Sequence, residues 1–305
     1  MKKFVLLTLF CFIACHLLFT LPVRSADSIV VPSSTNAIQL RFHTNAAPAA
    51  SHLFNTFDIQ AYGEKILHAP GSNAFRGAMS SDHVRLHYLL VNGEGPALAA
   101  TNNMTVVEQA SGPDWKYLAL DAGAAYRGRL EEYKRSILFI APDLFVLWDH
   151  LVAKNPASFE MVLHPSSAIQ ENVAWRDWRL ELPKASLRIH TLGTKALRYT
   201  WRRIESPADR LLPGTVTMQL VPTNKLASLD LLTVFAVYPG GEKRDYTFKL
   251  LESNSAIGAR IHREGWPTLV AFKLDPAAQK ASLTGFGFSG PVGVDVFKPT
   301  RRLLQ

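Results

Sequence analysis

Residues Phe57–Tyr62 read FDIQAY and are the first of a series of short apolar runs that continues almost to the end of the chain. The runs are rich in Val, Ile, Leu, Phe, Tyr and Thr, and turn residues such as Asn92-Gly93 and Ala141-Pro142-Asp143 separate them. The later runs are Ser136–Ile140, Leu144–Trp148, Phe159–His164, Thr215–Leu220, Leu232–Tyr238, Thr268–Leu274 and Val292–Phe297. Short strands at regular intervals with turn signals between them are typical of an all-β sandwich or barrel.

Helical patterning is weak throughout the chain. No segment keeps an apolar period of 3.6 residues over three turns, so we expect few or no helices, one or two short ones at most. No repeat of fixed period interrupts the pattern either. The sequence therefore predicts a single large all-β domain of antiparallel strands, a sandwich or a barrel.

The first 25 residues have the three parts of a secretory signal peptide. Lys2 and Lys3 form a basic start, Phe4–Leu21 is apolar, and Val23–Ser25 resembles a cleavage site. We therefore expect residues 1–25 to be removed and the protein to be exported, to the periplasm or outside the cell. A membrane anchor is the alternative, because the apolar stretch approaches spanning length. A lipid anchor at Cys15 is another.

The cysteines and the charge exclude several functions. Cys11 and Cys15, which are the two cysteines of the chain, both lie in the predicted signal peptide. The remainder holds no thiol, which excludes cysteine proteases, Cys-ligated zinc and redox motifs and suits a bacterial periplasm or surface. The net charge of +8 includes three cations of the signal peptide, which has no acidic residue, and removing them leaves +5. This favours an anionic partner.

Other common classes of function find no support in the sequence. The lysines and arginines are scattered instead of forming a basic stripe, so we expect no nucleic-acid partner. No Gly-x-Ser-x-Gly elbow, phosphate-binding glycine loop or His-Glu-x-x-His motif is present, which leaves serine hydrolases, nucleotide enzymes and common metalloproteases unsupported. We expect no membrane span once the signal peptide is cleaved.

Residues 57–67, FDIQAYGEKIL, resemble the first strand and turn of the β domain in heparinase II/III-like polysaccharide lyases. Further similar segments follow in the family's order: Ala69–Gly71, Leu89–Gly95, Ala122–Tyr126, Tyr133–Phe139, Pro142–Asp149 and Phe159–His164. The resemblance covers roughly residues 40–170. It implies a lyase-type sandwich domain over residues 41–305, preceded by a flexible N-terminal segment at 26–40.

The resemblance implies β-elimination on an acidic, uronate-containing polysaccharide. That reaction needs a group to neutralise the uronate carboxylate, a base for the proton at C5 and an acid for the leaving oxygen. In the family, Tyr and His transfer the protons, and a zinc ion commonly sits in the β domain. Much of the substrate cleft, including the catalytic Tyr, comes from a helical toroid that precedes the sandwich.

The short distance between the predicted signal peptide and Phe57 bears on the toroid. Only about thirty residues lie there, so we expect this chain to lack a toroid of its own. Two hypotheses follow. The protein is a lyase component that a separate helical-toroid chain completes, or it is a non-catalytic carbohydrate-binding or accessory module.

Three histidines of this chain each lie one position away from a place where the family has a site residue. Counted back without gaps from Phe57, or placed by the later segments, the family's site residues fall on Ala49, Ser51, Leu53, Ala69 and Leu86. The neighbouring histidines are His52, His68 and His87. The resemblance makes His52 the candidate catalytic residue and all three the candidate zinc ligands. A one-residue shift reverses the face of a strand, so a bulge or deletion before Phe57 is needed; the alternative is surface histidines bonded to backbone or water.

Two further groups of residues are candidates for a site. His83, Arg85 and His87 alternate, so they share one face of any strand they form and make a basic surface for a carboxylated sugar. The alternative is an ordinary solvated strand face. Trp148-Asp149-His150 suggests a proton relay, but we interpret it as the end of a strand with Asp149 as a turn former.

Overall fold

The computed structural model describes residues 28–32, 38–43, 57–67, 89–96, 104–126, 128–163, 165–166, 170–172, 177–193, 199–204, 217–222, 224–263 and 266–296. These residues form antiparallel strands and one short 3-10 helix, Gly123–Tyr126. The predicted all-β sandwich with few helices is therefore confirmed. In the described part of the chain, no helix is long and apolar enough to cross a membrane.

The strands are numbered in chain order. The first eleven are β1 (Ser28–Pro32), β2 (Ile38–His43), β3 (Phe57–Ala61), β4 (Glu64–Leu67), β5 (Leu89–Val91), β6 (Thr105–Gly112), β7 (Trp115–Asp121), β8 (Leu130–Ile140), β9 (Leu144–Ala157), β10 (Phe159–Leu163) and β11 (Gln170–Asn172). The others are β12 (Asp177–Glu181), β13 (Ala185–Gly193), β14 (Tyr199–Ile204), β15 (Thr217–Pro222), β16 (Leu226–Pro239), β17 (Tyr246–Glu252), β18 (Ala256–Arg263), β19 (Trp266–Lys273), β20 (Ala281–Leu283), β21 (Phe286–Phe288) and β22 (Val292–Val296).

An eight-stranded sheet in the order β11-β12-β13-β16-β9-β8-β7-β6 is the centre of the molecule. Its two middle strands, β9 and β16, are each 14 residues long. Side chains alternate between the faces of a strand, yet Leu144–Asp149 are all buried. Both faces of the central sheet are therefore covered, which explains why its strands appear in the sequence as continuous apolar runs.

Two smaller sheets, β1-β2-β3-β4 and β14-β15-β10-β5, supply residues to the core on one face. Phe57 of β3 meets Phe235 of β16 there, with the ring centroids 5.7 Å apart in an edge-to-face arrangement. The sheet β17-β18-β19-β22 covers the other face. Trp148 and Phe272 meet in that second core, with centroids 5.5 Å apart. The molecule therefore has three layers, with the central sheet as the middle one.

A hairpin of β20 and β21 lies on the outer side of the β17-β18-β19-β22 sheet. Leu283 of this hairpin packs with Leu251, Leu269 and Ala271 in a small third apolar cluster. Gly258 allows the close approach, since a Cβ there would lie 1.9 Å from the Val270 carbonyl oxygen and 2.8 Å from Leu283 Cδ2.

The structure corrects two interpretations of the sequence. Ser28–Pro32 and Ile38–His43 are paired strands, so these parts of the segment 26–40 are not a loose extension. Asp149 is not a turn former, because it lies in the middle of β9 and is fully buried. Its carboxylate Oδ1 accepts hydrogen bonds from Arg135 Nε at 2.6 Å and from the Tyr133 hydroxyl at 3.1 Å. Such a pair tolerates burial only because each charge meets the other.

Candidate functional site

The residues that the sequence singled out for a site lie outside the described part of the chain. This holds for the candidate catalytic His52, for the zinc candidates His52, His68 and His87, and for the basic face of His83, Arg85 and His87. Those assignments stay predictions. Within the described ranges, no three His, Cys, Asp or Glu side chains are grouped so that they could hold a metal ion.

A polar surface rich in arginine and aromatic residues lies where β17 borders the central sheet. β17 is the edge strand of its own sheet and packs over β13, whereas β12 and β11 lie farther toward the edge of the central sheet. The imidazole of His190 stacks on Phe248 across this boundary, with centroids 4.6 Å apart and planes 18° from parallel. We call this surface the arginine–aromatic seam. Its members are Arg179, Arg188, Arg244, Arg263, Tyr238, Tyr246, Phe248, Asp143 and Asp177.

Asp143 fixes two arginines at one end of the seam. Its side chain is 2% exposed, and its Oδ2 accepts a hydrogen bond from Arg244 Nη1 at 2.7 Å. Arg263 Nη1 donates to the other oxygen, Oδ1, and the Tyr246 hydroxyl lies 3.4 Å from Oδ2. Burial raises the pKa of Asp143, while the guanidinium groups of Arg263 and Arg244 lower it. Two cations thus neutralise one buried carboxylate.

Asp177 plays the same role at the other end of the seam. Arg188 Nε donates to Asp177 Oδ1 at 2.7 Å, and the Arg188 guanidinium lies 5.5 Å from the ring centroid of Phe248. Arg179 Nε is 3.7 Å from Asp177 Oδ2, beyond hydrogen-bond distance, and its side chain is 44% exposed. Arg179 and Arg188 are directly opposite each other on β12 and β13, so they lie on the same face of the sheet.

The seam has more guanidinium groups than buried carboxylates. Four arginines meet Asp143 and Asp177, and the carboxylate of Glu242, which binds Arg244 at 2.7 Å, is 45% exposed at the rim. Among the described residues, Arg179 contacts a carboxylate only at the 3.7 Å distance to Asp177, and Arg263 pairs with a carboxylate through Nη1 alone. The planar guanidinium fork matches carboxylate and sulfate groups, so these two arginines are suited to hold an anionic ligand.

The tyrosines of the seam are hydrogen-bond donors and not bases. Burial is the main cause that raises the pKa values of Tyr238 and Tyr246, so both hydroxyls keep their protons at neutral pH. Tyr62, in the turn between β3 and β4, has a positive φ of 51°. Burial, and after it the Asp143 carboxylate, raise the pKa of Tyr62 as well. Aromatic rings with polar tips are a common surface for sugar rings.

A second polar group contains a histidine and lies on the same face of the central sheet. His150 Nδ1 is 2.8 Å from Asp230 Oδ1, and Trp148 Nε1 donates to that same oxygen at 2.8 Å. His150 Nε2 lies 3.8 Å from Glu132, and the hydrogen bond to Asp230 is the main cause that raises the pKa of His150. A partly exposed imidazole held by a carboxylate can exchange protons. The surrounding carboxylates disfavour a polyanion at this place.

Comparisons with known proteins support a relationship in fold. No protein-family model matches the chain, and no curated protein matches it. A crystal structure of heparinase III does, with a TM-score of 0.59 and 13% identity over 78% of this chain and 40% of that chain. A mutant of the heparan sulfate lyase HepC from Pedobacter heparinus gives a TM-score of 0.61 and 12% identity, over 82% of this chain and 42% of that one.

A third solved structure, another heparinase III gene product, matches with a TM-score of 0.60 and 10% identity over 83% of this chain and 43% of that chain. At such identities the likeness concerns the fold alone. The chain spans about two fifths of the length of these lyases.

Proposed function

We propose that the protein binds acidic, uronate-containing polysaccharide through a β-sandwich of the heparinase III type. The observation that carries this proposal is the shared fold, which extends over 78% to 83% of the chain. The resemblance of residues 57–67 and the later segments to heparinase II/III-like lyases, noted from the sequence, points to the same class of ligand. The net charge is +8 for the whole chain and +5 without the three cations of residues 1–25, and both values agree with an anionic partner.

The arginine–aromatic seam is the described surface that suits this ligand. A uronate carboxylate or a sulfate accepts paired hydrogen bonds from a guanidinium group. Arg179 and Arg263 each have guanidinium N–H groups that no carboxylate of the described residues binds. Asp143 and Asp177 hold the neighbouring arginines in place, so little side-chain freedom is lost when a ligand binds. The basic face of His83, Arg85 and His87 is a further proposed contact surface.

Binding measurements on substituted proteins test the role of the seam. Arg179→Gln and Arg263→Gln should each weaken the binding of a uronate polymer about tenfold, which equals about 1.4 kcal/mol. Arg260→Gln is the matched control, because Arg260 lies on β18, as Arg263 does, but on the opposite face of the strand. Equal affinity of both seam variants and of the control, measured by titration calorimetry, would remove the seam from the proposal.

The alternative function is that of a lyase component. The lyases that share the fold are more than twice as long as the matched region, so a partner that supplies the rest of a cleft is consistent with this coverage. In this hypothesis a separate helical-toroid chain completes the site, and His52 transfers a proton during β-elimination. Activity that appears only when such a partner is added would favour it.

We further propose that His52, His68 and His87 bind a zinc ion that supports the fold, as the resemblance implies. Histidine nitrogens are common zinc ligands, and in a tetrahedral site three histidines leave one position for a fourth ligand. Metal analysis of the purified protein should then give about one zinc per chain, and His52→Ala should release it. The absence of zinc together with unchanged melting after chelation would exclude this site.

Export of the protein likewise remains a proposal that rests on residues 1–25.

A further inference from the structure

A cleft of about 490 Å³ lies beside the hairpin β20–β21, on the outer side of the sheet β17-β18-β19-β22. Its volume falls within the range of roughly 300–1,000 Å³ that is usual for small-molecule sites. The lining residues are Ser255, Lys280, Ala281, Ser282, Gly287, Phe288 and Ser289. The cleft is separate from the arginine–aromatic seam, which lies on the inner side of the same sheet.

The walls of the cleft are held by a buried lysine. Lys273, which is 7% exposed, donates from Nζ to the carbonyl oxygens of Ala278 and Ser289, both at 2.8 Å. These two carbonyls belong to the segments just before β20 and just after β21. Because one ammonium group ties both segments together, the two sides of the cleft keep a fixed separation.

Serine hydroxyls fix the remaining wall. Ser255 Oγ accepts a hydrogen bond from the Ser282 backbone N–H at 3.1 Å, and Ser253 Oγ donates to the Ser282 carbonyl at 2.7 Å. These bonds join the turn between β17 and β18 to strand β20. A site whose walls are already ordered loses little conformational entropy when a ligand binds.

The open side of the cleft offers a cation and an aromatic ring. Lys280 is exposed, and no carboxylate of the described residues forms an ion pair with it. Phe288 is half-buried and stacks on Phe286, with centroids 5.9 Å apart and planes 19° from parallel. Gly287 also lines the cleft, and nothing lies within 4 Å of the position that its Cβ would occupy, so the space in front of it is open.

We propose that this cleft is a second carbohydrate site that takes a single sugar residue bearing a carboxylate. The sugar ring lies against Phe288, since aromatic rings provide apolar contact area for the faces of sugars. The carboxylate pairs with the ammonium group of Lys280. The hydroxyl of Ser289 meets a hydroxyl group of the sugar. The site is independent of the polymer-binding seam and would recognise the end of a chain or a free uronic acid.

Chemical-shift perturbation with glucuronic acid and with glucose tests this site. Glucuronic acid should shift the backbone amides of residues 280–289, and glucose at the same concentration should bind at least about tenfold more weakly, because it lacks the carboxylate. Lys280→Gln should remove this preference. Gly287→Leu should block binding of both sugars, because the leucine side chain fills the open space in front of position 287. It should not unfold the hairpin, since no atom lies within 4 Å of the new Cβ position.

Two controls keep the result specific to the cleft. Lys249→Gln removes an exposed lysine of strand β17 that does not line the cleft, and it should leave glucuronic acid binding unchanged. Arg260→Gln removes a cation of β18 that is outside the cleft lining and outside the seam, and it should also leave glucuronic acid binding unchanged. Shifts that are equal for both sugars, or that survive both Lys280→Gln and Gly287→Leu in folded protein, would overturn the proposal.

Discussion

The imidazole Nδ1 of His150 lies 2.8 Å from Oδ1 of Asp230, across the neighbouring strands β9 and β16. The two residues are 80 positions apart in the sequence. The adjacent Asp149 points to the opposite face of β9, where it pairs with Arg135. The local sequence Trp148-Asp149-His150 is therefore not a relay along the chain. The carboxylate that binds both His150 and Trp148 belongs to Asp230 of β16.

The first prediction concerns the protonation of His150. Its pKa should lie above the ordinary value of about 6.5, because Asp230 stabilises the imidazolium. Asp230→Asn should lower this pKa, whereas Glu132→Gln should have a smaller effect, since Glu132 is 3.8 Å away and 55% exposed. Titration of the ring proton signals by NMR measures both changes. An unaltered pKa in Asp230→Asn would show that the pair is not electrostatically coupled.

The raised pKa of His150 also predicts how stability depends on pH. A histidine whose folded-state pKa is raised stabilises the fold fully below its unfolded pKa of about 6.5 and loses this contribution as pH rises through the folded value. The difference in unfolding free energy between the native sequence and Asp230→Asn should therefore be larger at pH 5.5 than at pH 9. Urea unfolding at both pH values tests it, and a difference that grows with pH would contradict the assignment.

The next prediction concerns the buried pair of Arg135 and Asp149, both fully buried. Asp149→Ala should lower the unfolding free energy by about 3–5 kcal/mol, because it leaves a buried guanidinium without its carboxylate. Glu94→Ala removes the partner of Arg129 in an exposed ion pair and should change stability by about 1 kcal/mol or less. Similar losses in both variants, measured by urea unfolding, would mean that burial does not strengthen the pair.

Two glycines give a matched test of packing at the outer hairpin. Gly258→Ala should destabilise the protein by about 1–3 kcal/mol or more, since the new methyl group meets the Val270 carbonyl oxygen and Leu283. Gly287→Ala should change stability by about 0.5 kcal/mol or less, because its Cβ position is open. Thermal unfolding of the two variants compares them directly. Equal melting temperatures would contradict the close contact between β18 and the hairpin.

The fold was predictable because its strands are buried in a regular way. The runs Leu144–Trp148 and Leu232–Tyr238 lie inside β9 and β16, where burial on both faces keeps every residue apolar except Thr233. The polar continuation of β9 beyond Asp149 gave no such signal, which is why Asp149 was interpreted as a turn residue. The three-layered arrangement could not be predicted either. A continuous apolar run shows that a strand is buried on both faces, but it does not identify the sheets that cover those faces.

The arginine–aromatic seam could not be predicted from local sequence. Asp143 lies 101 positions from Arg244 and 120 from Arg263, so no short motif contains the cluster. Only the pairing of β17 with β18 and the packing of β17 over β13 bring these side chains together. The histidine candidates came from the resemblance instead, and they lie outside the described residues.

A spectroscopic measurement separates the two hypotheses on catalysis. β-Elimination creates a carbon–carbon double bond conjugated with the uronate carboxylate, so its product absorbs ultraviolet light and simple binding gives no signal. We expect no absorbance change when this chain alone is incubated with heparan sulfate or alginate, because we propose that it binds the polymer without the toroid groups that would hold the sugar for elimination. Such positioning supplies a large part of the barrier reduction. Turnover by the chain alone that His52→Ala abolishes would instead show a complete lyase site.

Titration of the purified protein with an acidic polysaccharide tests the central claim most directly. Calorimetry with a uronate polymer and with a neutral glucan of similar length should show binding to the uronate polymer alone. The affinity should fall as salt is raised from about 0.01 to 0.15 M, where the screening length shrinks from about 30 to 8 Å. No binding to any uronate polymer at low salt, or equal and salt-independent binding to the neutral glucan, would contradict the proposed function.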